Sequence, residues 1–490
     1  MYYLHTMDNS FNRKRNNFIY KSFLCAVAFL LTFTSVSISA HAETVDYAAL
    51  AQERKALPIQ SNDIANWPEG PEVSAESAIV MEAETGTILY AKNIHEELYP
   101  ASTTKIMTCL LAAENASLSD NITFSNDAVF SVPNDGSSIG MDVGQSITLE
   151  QALYGIMVGS ANEVANAVAE HVSGSIDDFV KLMNDTAKSL GCTNTHFANT
   201  NGLQDDNHYT SVYDLALISK EFFNNELLCK VGNTPRYHFE PTATQPDDFY
   251  LNNKHKLITG EIAYDGIVGG KTGYTDQARE TLVTCAEKNG MKLICVVFME
   301  ESPTQFTDTV TLFDYAFNNF HLVNVADEET RYMPDDSLFF ESDHDVFGKS
   351  GTILKLDDSS VIVLPKTSQI TEADYEVTYD LSDEEKAEYP TGIAKVDYTY
   401  HDVAIGNAMI CYSENTAAKS DETNTPTIKP IYINVKILFI IAAVFVLIMT
   451  IIGTSSSKTV RNRKGISKSD RIRYNRRKRE FNKSNKKIKF

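Results

Sequence analysis

The sequence predicts an α/β domain in which helices pack against an antiparallel sheet, followed by a small all-β domain and a C-terminal transmembrane helix. Two β-type runs open the region from residue 71, helical patterns follow, and three consecutive β-type runs close it near residue 300. Strands from both ends of one segment, with helices between them, are typical of a single antiparallel sheet covered by helices. At 490 residues the chain is also too long for one core.

The first 42 residues have the pattern of a signal peptide. Arg13, Lys14 and Arg15 form a basic region, an apolar run follows, and small residues surround His41 in Ala-His-Ala. An uncleaved anchor is the alternative, and both interpretations export the rest of the chain. Residues 43–70 are predicted to be an irregular lead-in.

The first folded domain is predicted over residues 71–321. Two strands joined at the sequence Glu-Thr-Gly are expected between residues 75 and 95. A buried helix is expected after Pro100, because its apolar residues recur at helical spacing. In a later helix, Thr148 is the predicted N-cap and Gly159 the predicted end. The helical segments are ITLEQALYGIMV, NEVANAVAEHVSG, DDFVKLMNDTAKSLG and SVYDLALISKEFFNN.

Three strands, YDGIVGGKTGYT, ETLVTCAEKNG and MKLICVVFM, are expected to close this domain. A two-residue turn at Asn289-Gly290 would pair residue 285 with residue 294. The thiols of Cys285 and Cys295 would then lie on opposite faces of the sheet, so no disulfide is predicted between them. The cysteines show no CxxC pair and no metal-ligand spacing.

The sequence pattern changes near residue 322. Residues 322–414 carry short β-type runs separated by Asp, Ser, Gly and Pro, which predict the small all-β domain, and residues 415–430 are a polar linker. Residues 431–453, with no charge from Ile437 to Ile452, are predicted to span a membrane. Residues 454–490 hold 15 Lys and Arg against 2 Asp and Glu, which places this tail in the cytoplasm by the positive-inside rule.

The charge of the chain also limits its partners. The net charge is −22 although the tail is basic, so the part between the signal and the tail is strongly acidic. Such a surface disfavours nucleic acid and anionic lipid as partners of the exported part. The tail could contact lipid headgroups, but no aromatic interleaving or recognised module supports nucleic-acid binding there.

Ser102 and Lys105 are the first candidates for chemistry. They lie three residues apart in the first turn after Pro100, hence on one face, where the helix dipole disfavours a positive charge. Burial and that dipole both lower the pKa of a lysine, which could then remove a proton from the serine. The pattern S-x-x-K alone is weak, since it recurs twice in the basic tail.

Two further elements strengthen the prediction. Ser160-Ala161-Asn162 lies between two predicted helices and offers a hydroxyl for proton relay and an amide for a substrate carbonyl, although an ordinary N-cap is the alternative. Lys271-Thr272-Gly273 lies in a predicted strand, where Lys271 and Thr272 could bind a carboxylate and Gly273 would let a ligand backbone lie close to the strand edge. An exposed edge lysine before a turn is the alternative there.

In this order the three elements form the pattern S-x-x-K, S-x-N, K-T-G of the penicillin-recognising serine enzymes. The chain resembles the D-alanyl-D-alanine carboxypeptidases, the low-molecular-mass penicillin-binding proteins of bacteria. The segments LYPASTTKIMT, MVGSANEVANAVAEH, FANTNGLQDDNHYTSVYDLALIS and VGGKTGYTDQARETLVTCA carry the resemblance, which covers roughly residues 70–320. It implies a penicillin-binding-protein or β-lactamase-like fold for the first domain.

The resemblance also implies roles for individual residues. Ser102 would be the nucleophile that forms an acyl-enzyme and Lys105 its base, while Ser160 would pass a proton to the leaving group. The substrate-binding residues would be Asn162, Lys271, Thr272, Gly273 and Tyr274, the backbone N–H of Tyr274 completing an oxyanion hole with that of Ser102. The substrate would be the D-Ala-D-Ala end of a peptidoglycan stem peptide, β-lactams would acylate the same serine, and no cofactor or metal is expected.

The chain departs from the family pattern in two places. Many relatives carry Ala-Gly where this chain has Ala278-Arg279, and many are anchored by an amphipathic helix rather than by a span. The alternatives on the same fold are a β-lactamase, which needs a glutamate placed for deacylation, and a non-catalytic wall-binding or penicillin-sensing protein. His208, within one of the resembling segments, is interpreted as structural. The all-β domain is interpreted as a spacer from the membrane, with carbohydrate or partner binding as the alternative.

Overall fold

The computed structural model describes residues 45–331 and 354–412. The predicted signal peptide, the linker 415–430, the transmembrane helix 431–453 and the basic tail 454–490 lie outside the described residues. Within the two described ranges, no helix is both long enough and apolar enough to cross a membrane.

Helices occupy much of the first described range. In chain order the α-helices are α1 (Tyr47–Lys55), α2 (Lys105–Asn115), α3 (Asn126–Phe130), α4 (Leu149–Met157), α5 (Asn162–Ser173), α6 (Ile176–Ser189), α7 (Val212–Asn224), α8 (Glu226–Gly232), α9 (Lys256–Thr259), α10 (Thr304–Asn319), α11 (Val325–Glu328) and α12 (Asp383–Glu388). Short 3-10 turns lie at Gln60–Asp63, Ala101–Thr104 and Ile370–Glu372.

The strands fall at both ends of the helical region and again after it. They are β1 (Ser77–Glu82), β2 (Ile88–Lys92), β3 (Asn121–Thr123), β4 (Ser146–Thr148), β5 (Arg236–Phe239), β6 (Phe249–Asn252), β7 (Ile267–Thr275), β8 (Arg279–Lys288), β9 (Met291–Glu300), β10 (Phe320–Asn324), β11 (Leu354–Leu356), β12 (Val361–Pro365), β13 (Asp374–Thr378), β14 (Gly392–Tyr400) and β15 (Val403–Tyr412).

The main sheet joins strands from both ends of the first domain. Its order is β2-β1-β9-β8-β7, and all four pairings are antiparallel. The first two strands are the predicted pair between residues 75 and 95, and the other three are the predicted closing strands. The prediction of an α/β domain with an antiparallel sheet is therefore confirmed. Strand β7, which carries Lys271, lies at an edge of this sheet.

The turn between β8 and β9 has the predicted register. Cys285 pairs with Ile294 across the two-residue turn Asn289-Gly290, in which both residues have positive φ. Cys285 packs in the apolar cluster on one face of the sheet and Cys295 in the cluster on the other face. Both thiols are free, as the side-chain alternation of a strand requires.

The lead-in is not irregular, and that prediction is wrong. Residues 47–55 form helix α1, whose N-cap Asp46 accepts hydrogen bonds from the N–H groups of Ala48 and Ala49. The basic residues Arg54 and Lys55 lie in its last turn, where the helix dipole favours positive charge. Its apolar residues, 47–51, are consecutive and do not recur at helical spacing, so periodicity did not reveal the helix.

The predicted helix ends agree with the structure to within a few residues. Thr148 caps α4 and forms a capping box with Gln151, but the helix ends at Met157, two residues before the predicted Gly159. Helix α5 ends at Ser173, and its C-cap Gly174 has a left-handed φ of 82°, which suits glycine. Helix α10 was not predicted, although Phe306, Leu312 and Phe313 bury one of its sides.

A second antiparallel sheet follows, as predicted for the small all-β domain. Its order is β10-β12-β15-β14-β13, with β11 paired to β15. The predicted domain boundary at residue 322 stays a prediction, because one apolar cluster spans the main sheet, α10 and the second sheet. Trp67, the single tryptophan of the chain, lies in this cluster, with its ring centroid 4.9 Å from that of Phe320 and 6.3 Å from that of Tyr400.

The main sheet separates this cluster from a second one. Alternate residues of β1 point to opposite faces, so that Ile79 and Met81 join one cluster while Ala78 and Val80 join the other. Helices α2, α4 and α5 cover the first face, and α10 covers the second. The edge of β7 is thereby left facing a cleft between the helices and the sheet.

Glu300, at the end of β9, is fully buried beside α10. Its Oε2 accepts a hydrogen bond of 3.0 Å from the Thr304 hydroxyl, whereas its Oε1 has no partner among the described residues. Burial raises the pKa of Glu300 to about 9, and the charge of Asp308 adds to the effect. The folded chain thus holds a proton there that the unfolded chain, with an ordinary carboxyl, loses above about pH 4.5.

Glu300→Gln is therefore expected to stabilise the fold in a pH-dependent way. Below the pKa of the unfolded chain, Glu300 is protonated in both states and costs the fold no stability through its charge. As pH rises towards 9, the fold loses stability, because the unfolded chain releases this proton and the folded chain keeps it. A glutamine amide does not titrate, so the variant shows no such loss. We expect a gain of about 2 kcal/mol in the free energy of unfolding at pH 8 and little gain at pH 5. Thermal unfolding at both pH values measures it, and Glu287→Gln, an exposed carboxylate near the other end of the same hairpin, is the control. An equal change at both pH values would contradict the assignment.

Candidate active site

Ser102 lies in the 3-10 turn Ala101–Thr104, which leads directly into α2, and Lys105 is the first residue of that helix. Their spacing of three residues places both side chains on one side of the turn. The ammonium nitrogen Nζ of Lys105 lies 2.9 Å from the Ser102 hydroxyl oxygen, and the Lys105 side chain is fully buried. The structure therefore brings together the two residues of the S-x-x-K motif.

Two other groups fix the position of the Lys105 amine. Its Nζ lies 2.7 Å from the amide oxygen Oδ1 of Asn162 and 2.5 Å from the backbone carbonyl oxygen of Asn201. Burial lowers the pKa of Lys105 well below its usual value, and the positive charge of Lys271 lowers it further. In its neutral form the amine has two N–H groups for these two oxygens, which can only accept, and one lone pair for the proton of the Ser102 hydroxyl.

The S-x-N motif supplies a second hydroxyl and an amide. Helix α5 begins at Asn162, and its N-cap is Ala161, which forms no side-chain cap. The N-cap alternative for Ser160 is thus wrong: Ser160 has a left-handed φ of 57°, and its hydroxyl lies 3.2 Å from Nζ of Lys271. Because Oδ1 of Asn162 is bonded to Lys105, its Nδ2 is left for a ligand in the cleft, and no described residue accepts a hydrogen bond from it.

The K-T-G motif lies on the edge strand β7, as predicted. The alternative of an exposed lysine is wrong, because Lys271 is buried and its Nζ also donates to the carbonyl oxygen of Thr272 at 2.7 Å. Burial lowers the pKa of Lys271 to about 7, and the nearby charge of Lys254 contributes. Lys271 therefore changes charge near neutral pH.

Two glycines allow the Ser102 turn to pack closely. A Cβ atom at Gly273 would lie 2.4 Å from the hydroxyl oxygen of Thr281 and 2.8 Å from the backbone nitrogen of Ser102. A Cβ atom at Gly202, where φ is +85°, would lie 1.8 Å from the carbonyl oxygen of Ala101. The absence of a side chain at Gly273 thus keeps the strand edge open beside the serine.

The motifs share one cleft of about 660 Å³. Ser102, Ser160, Asn162, Thr272 and Gly273 line it, and Tyr274, half exposed, continues the wall along β7. The Ser102 hydroxyl, the Ser160 hydroxyl and the edge of β7 thus face a common space large enough for a peptide segment. Within the two described ranges, no group of three or more His, Cys, Asp or Glu side chains could hold a metal ion.

His208 supports the Ser102 turn from behind. It is buried, and its Nδ1 accepts a hydrogen bond of 3.0 Å from the N–H of Ala198. Its Nε2 must then carry the proton and donate to the Thr104 hydroxyl at 2.8 Å, and that hydroxyl donates to the carbonyl oxygen of Ala101. Burial lowers the pKa of His208 to about 3, so the ring stays neutral. This geometry fits the structural interpretation of His208.

Sequence reasoning missed the contributions of Asn201 and Gly202. Both lie in the segment FANTNGLQDDNHYTSVYDLALIS, whose resemblance to the family was the only signal for them. Neither residue type indicates its contact, because one acts through a backbone carbonyl and the other through a missing Cβ atom.

Arg279, the departure from the family pattern, lies at the start of β8 with a left-handed φ of 53°. Its guanidinium bonds both carboxylate oxygens of Glu301, at 2.7 and 3.3 Å, and donates to the Tyr274 hydroxyl at 3.1 Å. The ring of Tyr47 in α1 lies 4.0 Å from its central carbon. The charge of Arg279 is thus paired with Glu301, and helix α1 contacts this arginine through the ring of Tyr47.

The part of the chain that carries these motifs matches a known protein family. The Peptidase_S11 family model, described as D-alanyl-D-alanine carboxypeptidase, matches residues 64–302. The chain is 38% identical over 252 residues to D-alanyl-D-alanine carboxypeptidase DacF of Bacillus subtilis, which covers 50% of the chain and 63% of that relative. The chain is 30% identical to DacB2 of Mycobacterium tuberculosis, covering 51% of the chain and 84% of that relative.

A solved structure is similar over a longer part of the chain. It is penicillin binding protein 5 from Haemophilus influenzae, with 26% identity and a TM-score of 0.55 over 70% of this chain and 98% of that one. DacA of Escherichia coli, another carboxypeptidase by name, is 31% identical over 57% of this chain and 70% of its own length. From these matches and the S-x-x-K, S-x-N and K-T-G geometry, we conclude that the chain belongs to the family of serine-type D-alanyl-D-alanine carboxypeptidases.

Proposed function

We propose that this chain removes the terminal D-alanine from peptidoglycan stem peptides through an acyl-enzyme on Ser102, and that β-lactams acylate the same serine. The contact that carries the proposal is the 2.9 Å distance between Lys105 Nζ and Ser102 Oγ, with two obligate acceptors around the amine. This arrangement supports Lys105 as the base, because its lone pair is directed to the hydroxyl proton.

Acylation would proceed through attack on the carbonyl, stabilisation of an oxyanion and loss of the leaving group. The oxygen of Ser102 attacks the carbonyl carbon between the two D-alanines while Lys105 takes the hydroxyl proton. The oxyanion that forms is stabilised by the backbone N–H groups of Ser102 and Tyr274. The C–N bond then breaks as Ser160, bonded to Lys271, passes its proton to the departing amine, and the proton that Lys105 took from Ser102 restores the Ser160 hydroxyl, so that Lys105 is neutral again. Water completes the cycle by hydrolysing the ester.

Substrate binding would use the strand edge and the start of α5. Lys271 and Thr272 hold the terminal carboxylate, since Lys271 is the buried cation of the K-T-G motif. The free Nδ2 of Asn162 holds a peptide carbonyl. Gly273 lets the peptide backbone approach β7, in the way that extended ligands add to sheet edges.

The pH dependence of KM tests the role of Lys271. Its pKa of about 7 means that its charge is lost as pH rises through 7, so KM is expected to increase above neutrality. In Lys271→Arg the charge persists at all these pH values, so KM should depend little on pH even if it is higher overall. Initial rates of D-alanine release between about pH 6 and pH 8.5 measure it. A KM for the unaltered enzyme that is constant over this range would contradict the assignment.

The activity itself is tested on the full chain in detergent. A peptide ending in D-Ala-D-Ala is supplied, and free D-alanine is measured with and without benzylpenicillin. Release that benzylpenicillin blocks is the expected result. Consumption of benzylpenicillin with turnover would favour the β-lactamase alternative, and stable labelling without D-alanine release would favour the penicillin-sensing alternative.

We also propose a location for the chain. It is a bacterial membrane protein with one C-terminal span at residues 431–453, an extracytoplasmic catalytic domain, the all-β domain as spacer, and a cytoplasmic basic tail. The uncharged run of residues 437–452 before that tail supports this topology. A chain ending at residue 430 should leave the membrane fraction while the full chain stays in it. Membrane retention of both would contradict the proposed anchor.

A further inference from the structure

The cleft is electrically polar along β7. Lys254 and Lys256 line it together with the K-T-G strand, and Lys254 lies close enough to Lys271 to lower the pKa of that amine. Asp276 and Glu280 line it at the turn between β7 and β8. One part of the cleft thus attracts anions and the other attracts cations.

Glu280 is the unpaired member of the acidic part. Around it, Arg279 is bonded to Glu301 at 2.7 Å, and Asp276 accepts a hydrogen bond of 3.0 Å from the Tyr274 hydroxyl. The carboxylate of Glu280 has neither a hydrogen-bond partner nor an ion-pair partner among residues 45–331 and 354–412, although it is partly buried. Burial raises the pKa of Glu280 and the charge of Glu301 adds to the effect, whereas Arg279 and Lys254 lower it.

A second unsatisfied group lies in the same cleft. Gln305, in the first turn of α10, is 2% exposed and lines the cleft, yet its amide oxygen has no hydrogen-bond partner among the described residues. Buried amides are normally hydrogen-bonded, because an unmade bond costs free energy. Gln305 lies on a helix and Glu280 on a strand, and each has an acceptor oxygen without a hydrogen-bond donor among the described residues.

Both groups lie on the same side of the sheet. Glu280 pairs directly with Tyr274 across β7 and β8, so both side chains project to one face. Leu282, two residues further along β8, shares that face and packs in the same apolar cluster as Phe306 of α10. Glu280 and Gln305 both line the cleft, and Tyr274, which pairs with Glu280, lines it from the same face of the sheet.

A bound peptide would reach this part with its acyl side. If Lys271 and Thr272 hold the terminal carboxylate and the backbone of Tyr274 holds the reacting carbonyl, the rest of the peptide continues past Thr275 towards the turn. A peptide paired with a strand edge sends alternate side chains to the two faces of the sheet. One of its next side chains must then point to the face of Glu280.

We propose that Glu280, assisted by Gln305, binds a positively charged side-chain amine on the acyl side of the peptide, so that the enzyme prefers a stem peptide whose diamino acid has a free amine. This inference rests on the proposed function. Glu280 is a specificity-determining residue in it and takes no part in bond making. Arg279 is the cation that acts most strongly on Glu280, but its guanidinium is paired with Glu301 at 2.7 Å. Lys254 acts more weakly, is exposed and forms no ion pair with Glu280.

The test compares three peptides with the full chain at pH 7. They are Nα-acetyl-L-lysyl-D-Ala-D-Ala, the same peptide acetylated at Nε, and the same peptide succinylated at Nε, which replaces the positive charge by a negative one. We expect kcat/KM to be about tenfold higher for the free amine than for the Nε-acetyl peptide, mainly through KM, and lowest for the succinyl peptide. Equal values for the first two would overturn the inference while leaving the proposed function intact.

Variants assign the preference to Glu280. In Glu280→Gln the free-amine and Nε-acetyl peptides should become equal, through loss on the free amine alone, and in Glu280→Lys the succinyl peptide should become the preferred one. Glu287→Gln, on the same strand but outside the cleft, should keep the full preference. If Glu280→Gln slows all peptides alike, its role is structural and the inference fails. If no peptide releases D-alanine with the unaltered enzyme, the proposed function fails instead.

Discussion

Ser102→Ala is expected to lower kcat for D-alanine release by roughly 10⁴-fold or more and to abolish covalent labelling by benzylpenicillin. The substitution removes the oxygen that forms the acyl-enzyme in the proposed mechanism, and it leaves the Lys105 amine with its contacts to Asn162 and Asn201. The fold should survive, because the serine side chain is not part of either apolar cluster. Labelling in a gel, D-alanine release and thermal unfolding measure the three effects.

Ser137→Ala is the matched control for that variant. Ser137 lines the same cleft, but its hydroxyl contacts neither Lys105 nor Lys271. It should keep most of the activity and all of the labelling. Labelling that persists in Ser102→Ala would place the nucleophile elsewhere and would overturn the mechanism.

Gly202→Ala is expected to cost both stability and activity. The added Cβ would lie 1.8 Å from the carbonyl oxygen of Ala101 and 2.9 Å from the nitrogen of Ser102, and the backbone there has a φ of +85°. The turn that carries Ser102 must therefore move. We expect a loss of about 3 kcal/mol in the free energy of unfolding and a fall of about 100-fold in the acylation rate, since small displacements of a nucleophile are costly.

Gly174→Ala separates the clash from the backbone strain. Gly174 has nearly the same φ, +82°, but a Cβ there would meet nothing within 4 Å. It should cost about 1 kcal/mol of stability and leave the acylation rate unchanged. If the two variants lose stability and activity to the same extent, the contact between Gly202 and the Ser102 turn does not matter.

Much of the catalytic fold could be predicted because its signals are local. The Asn289-Gly290 turn fixed the register of β8 and β9, and Thr148 marked the start of α4. Helix α1 was not predicted because its apolar residues, 47–51, are consecutive and do not recur at helical spacing; Arg54 is its one buried residue. The second sheet was visible as β-type runs, but the apolar cluster that it shares with the main sheet depends on residues far apart in the chain.

The candidate site was predictable where side chains carry its chemistry. The three motifs named the lysines, the hydroxyls and the amide, and the structure places them in contact. The carbonyl of Asn201 and the bare Cα of Gly202 could not be named, because any residue has a carbonyl and many glycines only form turns. The unpaired state of Glu280 is likewise a property of its neighbours and not of its own segment.

The position of Trp67 lets its fluorescence report on the packing between the two sheets. This indole donates to the carbonyl oxygen of Leu89 at 3.0 Å and packs against Phe320 of the second sheet. Because no other tryptophan is present, the tryptophan fluorescence of the chain, excited selectively from that of its 23 tyrosines, comes from one buried contact between the lead-in, the main sheet and the second sheet. A red shift of its emission would signal that water has entered this contact, whether or not the serine, more than thirty residues later in the chain, still reacts.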